Sequence, residues 1–167
     1  MRGAQVLVVF DVDGTISPLP PRDGSGEPMW ATPIPESVLA ALQELTTAPD
    51  VLVGWVTSWS PGMVRSLTER RLDGRLDGRH LHDDDDWARG WRARAVTKAV
   101  AITGAQAVVW FDDMAVRANL LRTLERAGLS LAVLVIRPDE YTGITLLQAR
   151  RASRFVNDFY SQREEST

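Results

Sequence analysis

Val6-Leu7-Val8-Val9-Phe10 places five apolar residues in succession, and Asp11-Val12-Asp13-Gly14-Thr15 closes the run abruptly. A strand with one wet face alternates polar and apolar residues, whereas an unbroken apolar run suits a strand covered on both faces. Such a strand needs helices above and below it. The rest of the chain supplies that pattern. Strands are expected at Gln5 to Phe10, Val51 to Val56, Ala107 to Phe111 and Leu131 to Ile136. Helical spacing marks Glu36 to Leu45, Pro61 to Arg71, Trp91 to Thr103, Ala115 to Ala127 and about Thr145 to Tyr160. Gly104 and Gly128 stop two of these helices, and Thr145 with Gln148 has capping-box spacing. Alternating strands and helices with short connections predict an α/β fold. The expected form is three-layer, Rossmann-like, with a parallel sheet.

The 167 residues suit one domain, and with 44% hydrophobic residues the chain has enough apolar mass to build a core. No apolar run reaches the roughly 18 residues of a membrane-spanning helix. The short apolar stretch near the amino end reads as a core strand, because it runs directly into the aspartates. Cysteine is absent, which excludes disulfides and thiolate metal sites and suits the cytoplasm. A net charge of −3 exerts no general pull on nucleic acid, although eighteen of the nineteen basic residues are arginine. Compositional bias accounts for that, and so does phosphate contact, for which a guanidinium fork is well shaped. The six tryptophans divide between core packing and a role for one or two in base stacking.

In an open parallel sheet, ligands bind beyond the carboxyl ends of the strands. The polar residues at those ends are Asp11 and Asp13, Thr57 and Ser58, and Asp112 and Asp113. Two carboxylates one residue apart repel unless a proton or cation lies between them, and Mg2+ suits carboxylate, phosphate and water oxygens. Gly14 permits a tight turn at this point. Each pair also has a plainer reading: acidic turn residues after the first strand, a Thr-Ser turn after the second, and a helix cap at Asp112-Asp113. Asp83 to Asp86 is an acidic run, more often a solvated loop than a cation site.

Asp11-Val-Asp-Gly-Thr15 after an apolar strand resembles the first motif of the haloacid dehalogenase (HAD) superfamily, whose members are mostly phosphatases. The resemblance implies Asp11 as nucleophile, forming an aspartyl-phosphate, with Asp13 as general acid and base. It implies Thr57, with Ser58 beside it, as the second motif that binds a phosphoryl oxygen. Gly14 joins them as a candidate substrate-binding position. Asp113 is implied as the more direct Mg2+ ligand and Asp112 as an orienting group, so that Asp11, Asp13, Asp112 and Asp113 form the candidate metal set. The third motif is a lysine in the family. Here Lys98 has the right chemistry, while Arg92 has the right helical register with Ala95, Val96, Ala99 and Val100.

A narrower similarity follows the order of motifs through Trp55-Val-Thr-Ser-Trp59, Trp91, Trp110-Phe-Asp-Asp113, Pro138-Asp139 and Gly143-Ile-Thr145. It is to the small HAD-like domains of bacterial "Swiss army knife" RNA repair proteins. This implies a phosphatase acting near nucleic acid ends or on nucleotides. Residues 16–35 hold six of the nine prolines and read as a flap loop, and residues 72–91 leave no room for a domain. No folded cap is therefore expected, and the site is open. Arg65, Arg70, Arg71, Arg75 and Arg79 read either as a solvated arginine face or as candidates to steer a phosphate backbone. The alternative is a non-catalytic binding module or subunit on the same fold. No Gly-x-x-x-x-Gly-Lys loop is present, so a phosphate-cradling nucleotide loop is excluded.

Overall fold

The computed structural model describes residues 5–25, 33–82 and 87–165. Five strands, β1 (Val6–Phe10), β2 (Val51–Trp55), β3 (Arg79–His80), β4 (Ala107–Phe111) and β5 (Ala132–Ile136), form one sheet in the order β3-β2-β1-β4-β5. Every pairing is parallel. The helices are α1 (Glu36–Thr46), α2 (Pro61–Arg71), α3 (Trp91–Thr103), α4 (Arg117–Arg126) and α5 (Leu146–Glu164).

The unbroken apolar strands are buried on both faces. The twofold alternation of side chains divides them between two cores. Val6, Val8 and Phe10 of β1 face a cluster with Val38, Leu39 and Leu42 of α1, Val64 and Leu67 of α2, and Ala149, Ala152 and Val156 of α5. Leu7 and Val9 face the opposite cluster, with Val96 and Val100 of α3 and Leu120 and Leu124 of α4. The three layers expected from the alternating pattern are present, and β1 lies at the centre of the sheet.

Local signals set the helix ends. Ser60 accepts a hydrogen bond from Met63 N with Pro61 just inside α2, and Gly104 closes α3 with φ +70°. Thr145 and Gln148 make the reciprocal capping box of α5. Two features depart from the sequence pattern. The strand β3 was not foreseen, because two residues carry no periodicity to read. The fourth helix begins at Arg117 rather than Ala115, since Asp112 Oδ1 accepts from Met114 N and holds the chain in a turn there. Residues 16–25 and 33–35 of the expected flap contain no helix or strand, and its middle lies outside the described residues. The Asp83–Asp86 run lies outside them as well.

Register brings the strand ends together. Phe10 is flanked by Trp55 on one side and Phe111 on the other. The rings follow suit, with Phe10 stacked on Phe111 at 5.2 Å and tilted against Trp55 at 5.6 Å. Trp55 is fully buried and its indole donates to Leu76 O at 3.1 Å. Trp55→Ala therefore removes a large core side chain and strands a carbonyl. It is expected to cost about 3–5 kcal/mol in urea unfolding with the slope unchanged.

Candidate active site

Because the register aligns Phe10, Trp55 and Phe111, the next residue on each strand opens at the same sheet edge. Asp11 N donates to Phe111 O, Val56 N to Phe10 O, and Asp112 N to Ile136 O. Asp11 and Asp112 thus stand side by side where the strand order reverses, the usual ligand crevice of such sheets. Both are essentially inaccessible to solvent.

Burial without hydration disfavours a carboxylate. It pushes the Asp11 carboxyl up to about 8, helped by the neighbouring charge of Asp112 and opposed by Arg92 and the Thr57 hydroxyl. Burial likewise raises Asp112 to about 6, opposed chiefly by Arg92. Arg92 is the cation common to both. Its Nη2 lies 3.5 Å from Asp11 Oδ2 and its Nε 3.2 Å from Asp112 Oδ2. The second approach has ion-pair distance but not hydrogen-bond alignment. The guanidinium also lies over the Trp91 ring at 4.7 Å. The helical register that favoured Arg92 is met in space. Lys98 is exposed on α3 and lines a groove with Arg79, His80 and Ile102, outside this cluster.

Asp11, Asp112 and Asp113 each offer a ligand atom within 4.8 Å of the others. Asp11 Oδ1 is buried without a hydrogen-bond partner. An unpartnered buried carboxylate oxygen beside two more carboxylates is a donor set that suits a hard divalent cation such as Mg2+. Gly14 shapes this corner. It has φ +69°, and a Cβ there would stand 2.9 Å from Asp113 Cγ and Oδ2. Burial raises the Asp113 carboxyl, and Arg92 opposes the shift. The backbone of Asp113 is pinned on both sides, its N–H donating to Thr15 Oγ1 at 3.2 Å and its carbonyl accepting from Arg137 Nε at 3.1 Å.

Asp13 is half-buried and outside that trio. Its Oδ1 accepts from the indole Nε1 of Trp59 at 2.9 Å. Burial raises its carboxyl, and this hydrogen bond and Arg92 oppose the shift. Thr57 is fully buried beside Asp11 and accepts from Trp59 N, whereas Ser58 is exposed at the turn. Neither Asp112 nor Asp113 caps a helix, since the residue at the amino end of α4 is Val116. Arg75, one of the arginines suggested for steering, is instead bidentate to Glu36 at 2.6 and 3.0 Å.

The loop of Pro138-Asp139 and Gly143-Ile-Thr145 entered the sequence analysis only through the narrower resemblance, and its bracing of this site was not foreseen. Ile144 N donates to Thr15 O and Leu19 N to Glu140 O. Gly143, at φ +71°, passes so close that a Cβ would meet Thr15 O at 2.7 Å. Trp59 enters the sequence analysis only through the narrower resemblance, and nothing in its spacing marks it as a donor to Asp13.

These features define a HAD-like α/β fold with a buried acidic crevice at the topological switch point. Among solved structures, the HAD domain of the effector protein Lem4 from Legionella pneumophila, an inactive mutant, matches with a TM-score of 0.62 over 94% of this chain and 99% of that one. The two are 14% identical, so the likeness is one of fold. No protein-family model matches the chain, and no curated protein matches it in sequence. Among the described residues no helix is long and apolar enough to cross a membrane.

Two predictions follow from the electrostatics. Carboxyls raised on folding contribute stability that is fully present below their unfolded values near 3.8 and is lost as pH rises through about 6 and about 8. The metal-free protein should therefore lose Tm across this window. Saturating Mg2+ should raise Tm more at its alkaline end, as thermal scans with and without chelator will read. Arg92→Ala leaves two buried carboxylates without their shared cation and should destabilise by about 3–5 kcal/mol, whereas Lys98→Ala should change stability by less than about 0.5 kcal/mol.

Proposed function

We propose that the protein is a Mg2+-dependent phosphomonoesterase working through an aspartyl-phosphate on Asp11. The observation that carries this reading is the pairing of a buried, cation-flanked carboxylate at the switch point with a second carboxylate two residues on. Asp11 attacks phosphorus while the ester P–O bond breaks, and Asp13 gives its proton to the departing oxygen. Asp13 then takes a proton from water as that water attacks phosphorus, which frees phosphate and restores Asp11. Arg92 lowers the proton affinity of Asp11 and holds it in place. Asp11, Asp112 and Asp113 are the residues that would hold Mg2+, with Gly14 shaping the corner. When bound, Mg2+ supplies positive charge to the phosphoryl oxygens. The Thr57 hydroxyl, the turn at Ser58 and the backbone at Gly14 are the proposed contacts to phosphate.

The proposed substrates are phosphorylated nucleic acid ends or nucleotides. An aromatic shelf beside Arg92 supports this. Trp87 meets Trp91 edge-on at 5.1 Å, and His82 lies 4.0 Å from the first ring and 4.4 Å from the second. Trp87 is about half exposed, at 51%. Stacking a base on such a ring contributes about 1–3 kcal/mol. The absence of a helix or strand in the described parts of the flap agrees with an open site. The proposed setting is the cytoplasm of a bacterial cell.

The test is Mg2+-dependent phosphate release from p-nitrophenyl phosphate, mononucleotides, and 3′- and 5′-phosphorylated oligonucleotides. Asp11→Asn is expected to abolish release. It should leave the Tm of the metal-free protein near the parent's at neutral pH, where the Asp11 carboxyl holds its proton, and this separates lost chemistry from lost folding. Asp13→Asn should lower the rate by ~10²–10⁴-fold. No Asp11-dependent release from any substrate, with Mg2+ still bound, would replace this reading with a non-catalytic binding module.

A further inference from the structure

We infer that Trp59 and His80 together form a positioning device for Asp13, the group read above as general acid; the inference rests on that reading. Two hydrogen bonds carry it. The Trp59 indole Nε1 donates to Asp13 Oδ1 at 2.9 Å, joining the turn after β2 to the turn after β1. His80 Nε2 lies 2.8 Å from the backbone oxygen of Trp59. A carbonyl oxygen only accepts, so His80 carries its proton on Nε2 and donates. The relay therefore runs from the edge strand β3, through Trp59, to one oxygen of Asp13.

The arrangement has a chemical consequence. A carboxyl has two oxygens, and an indole has a donor and no acceptor. The oxygen engaged by Trp59 cannot also carry the transferable proton along that bond. The carbonyl oxygen of a carboxyl is its better acceptor, so this bond favours the proton of Asp13 on the other oxygen, Oδ2. Trp59 thus selects which oxygen does acid–base work and fixes the plane in which it is presented. Its ring also packs against the buried cluster of α1, α2 and α5, so the donor has little freedom to swing away. The His80 bond fixes the peptide that carries the ring. No cap domain is needed to orient the acid if this relay does so.

A general acid matters most when the leaving oxygen is a poor leaving group. An alkoxide requires the proton as the P–O bond breaks, while p-nitrophenolate departs with little help. Loss of positioning should therefore widen the gap between an alkyl phosphate and p-nitrophenyl phosphate. A merely structural defect would lower both alike. The experiment measures kcat/KM, which reports only the steps through departure of the alcohol, on glycerol phosphate and p-nitrophenyl phosphate for the parent, Trp59→Phe, His80→Ala and His80→Gln. Trp59→Phe keeps the apolar ring and removes the donor.

The expected result is a kcat/KM loss roughly tenfold greater on the alkyl ester than on p-nitrophenyl phosphate in Trp59→Phe, part of the ~10²–10⁴-fold worth of the acid. His80→Ala should shift the same ratio in the same direction, and His80→Gln, whose amide can still donate to the Trp59 carbonyl, should restore it. In proton NMR, the Trp59 indole resonance, assigned by its absence in Trp59→Phe, should move in Asp13→Asn. Equal losses on the two esters, no loss, or an indole signal unmoved by Asp13→Asn would overturn the positioning role while leaving the phosphatase reading intact. Absence of Asp11-dependent turnover in the parent would overturn both.

Discussion

Two carboxylates buried next to each other, Asp11 and Asp112, are the constraint around which the site is arranged. Each would lose several kcal/mol of hydration on entering the protein as an isolated ion. They are tolerated because Arg92 reaches both from the first turn of α3. That reach depends on α3 being seated on the sheet by Val96 and Val100, and on Trp91 lying against the guanidinium. The electrostatics of the crevice and the packing of one helix are thus a single problem. A hydrophobic replacement would stabilise the fold more readily, so the arrangement is costly for stability and informative about function.

The strong strands and the helices were readable because burial on both faces forces unbroken apolar runs, and because helix ends carry local chemistry. Asp11 and Asp112 were legible for the same reason, as polar residues at the ends of such runs. The choice between Arg92 and Lys98 was half visible. Helical register favoured the arginine, and only three-dimensional placement puts Lys98 beside β3 and away from the acids. What could not be read was everything fixed across long sequence separations. The Trp59 indole on Asp13 and the His80 ring on the Trp59 carbonyl leave no periodic trace. The edge strand β3, with two residues, is too short to leave one. Arg75 looked like a surface charge available for phosphate until its bidentate pairing with Glu36 was seen.

Asp13 was grouped with the metal ligands because it sits two residues from Asp11. In space its side chain turns toward Trp59, and Asp113 completes the trio instead. Residues i and i+2 need not serve one centre once the chain has left the strand, since the turn at Gly14 redirects the backbone. This separation gives the two aspartates of the turn after β1 different surroundings, one buried among charges and one held by an indole. Different surroundings are what allow two like groups to take different protonation tasks.

The stitching of Gly143 and Ile144 onto Thr15 has a consequence for how the protein comes into being. The turn that carries the first aspartates is closed by residues nearly the whole chain away, from the segment leading into α5. Contacts so distant in sequence must wait for the intervening chain, and loop closure of that length is slow compared with local helix formation. During synthesis β1 is made well before this segment, so its acidic turn stays unbraced until Gly143 and Ile144 are available to meet Thr15. The crevice is then among the later regions of the fold to acquire its shape, because its floor and its brace come from segments far apart in sequence.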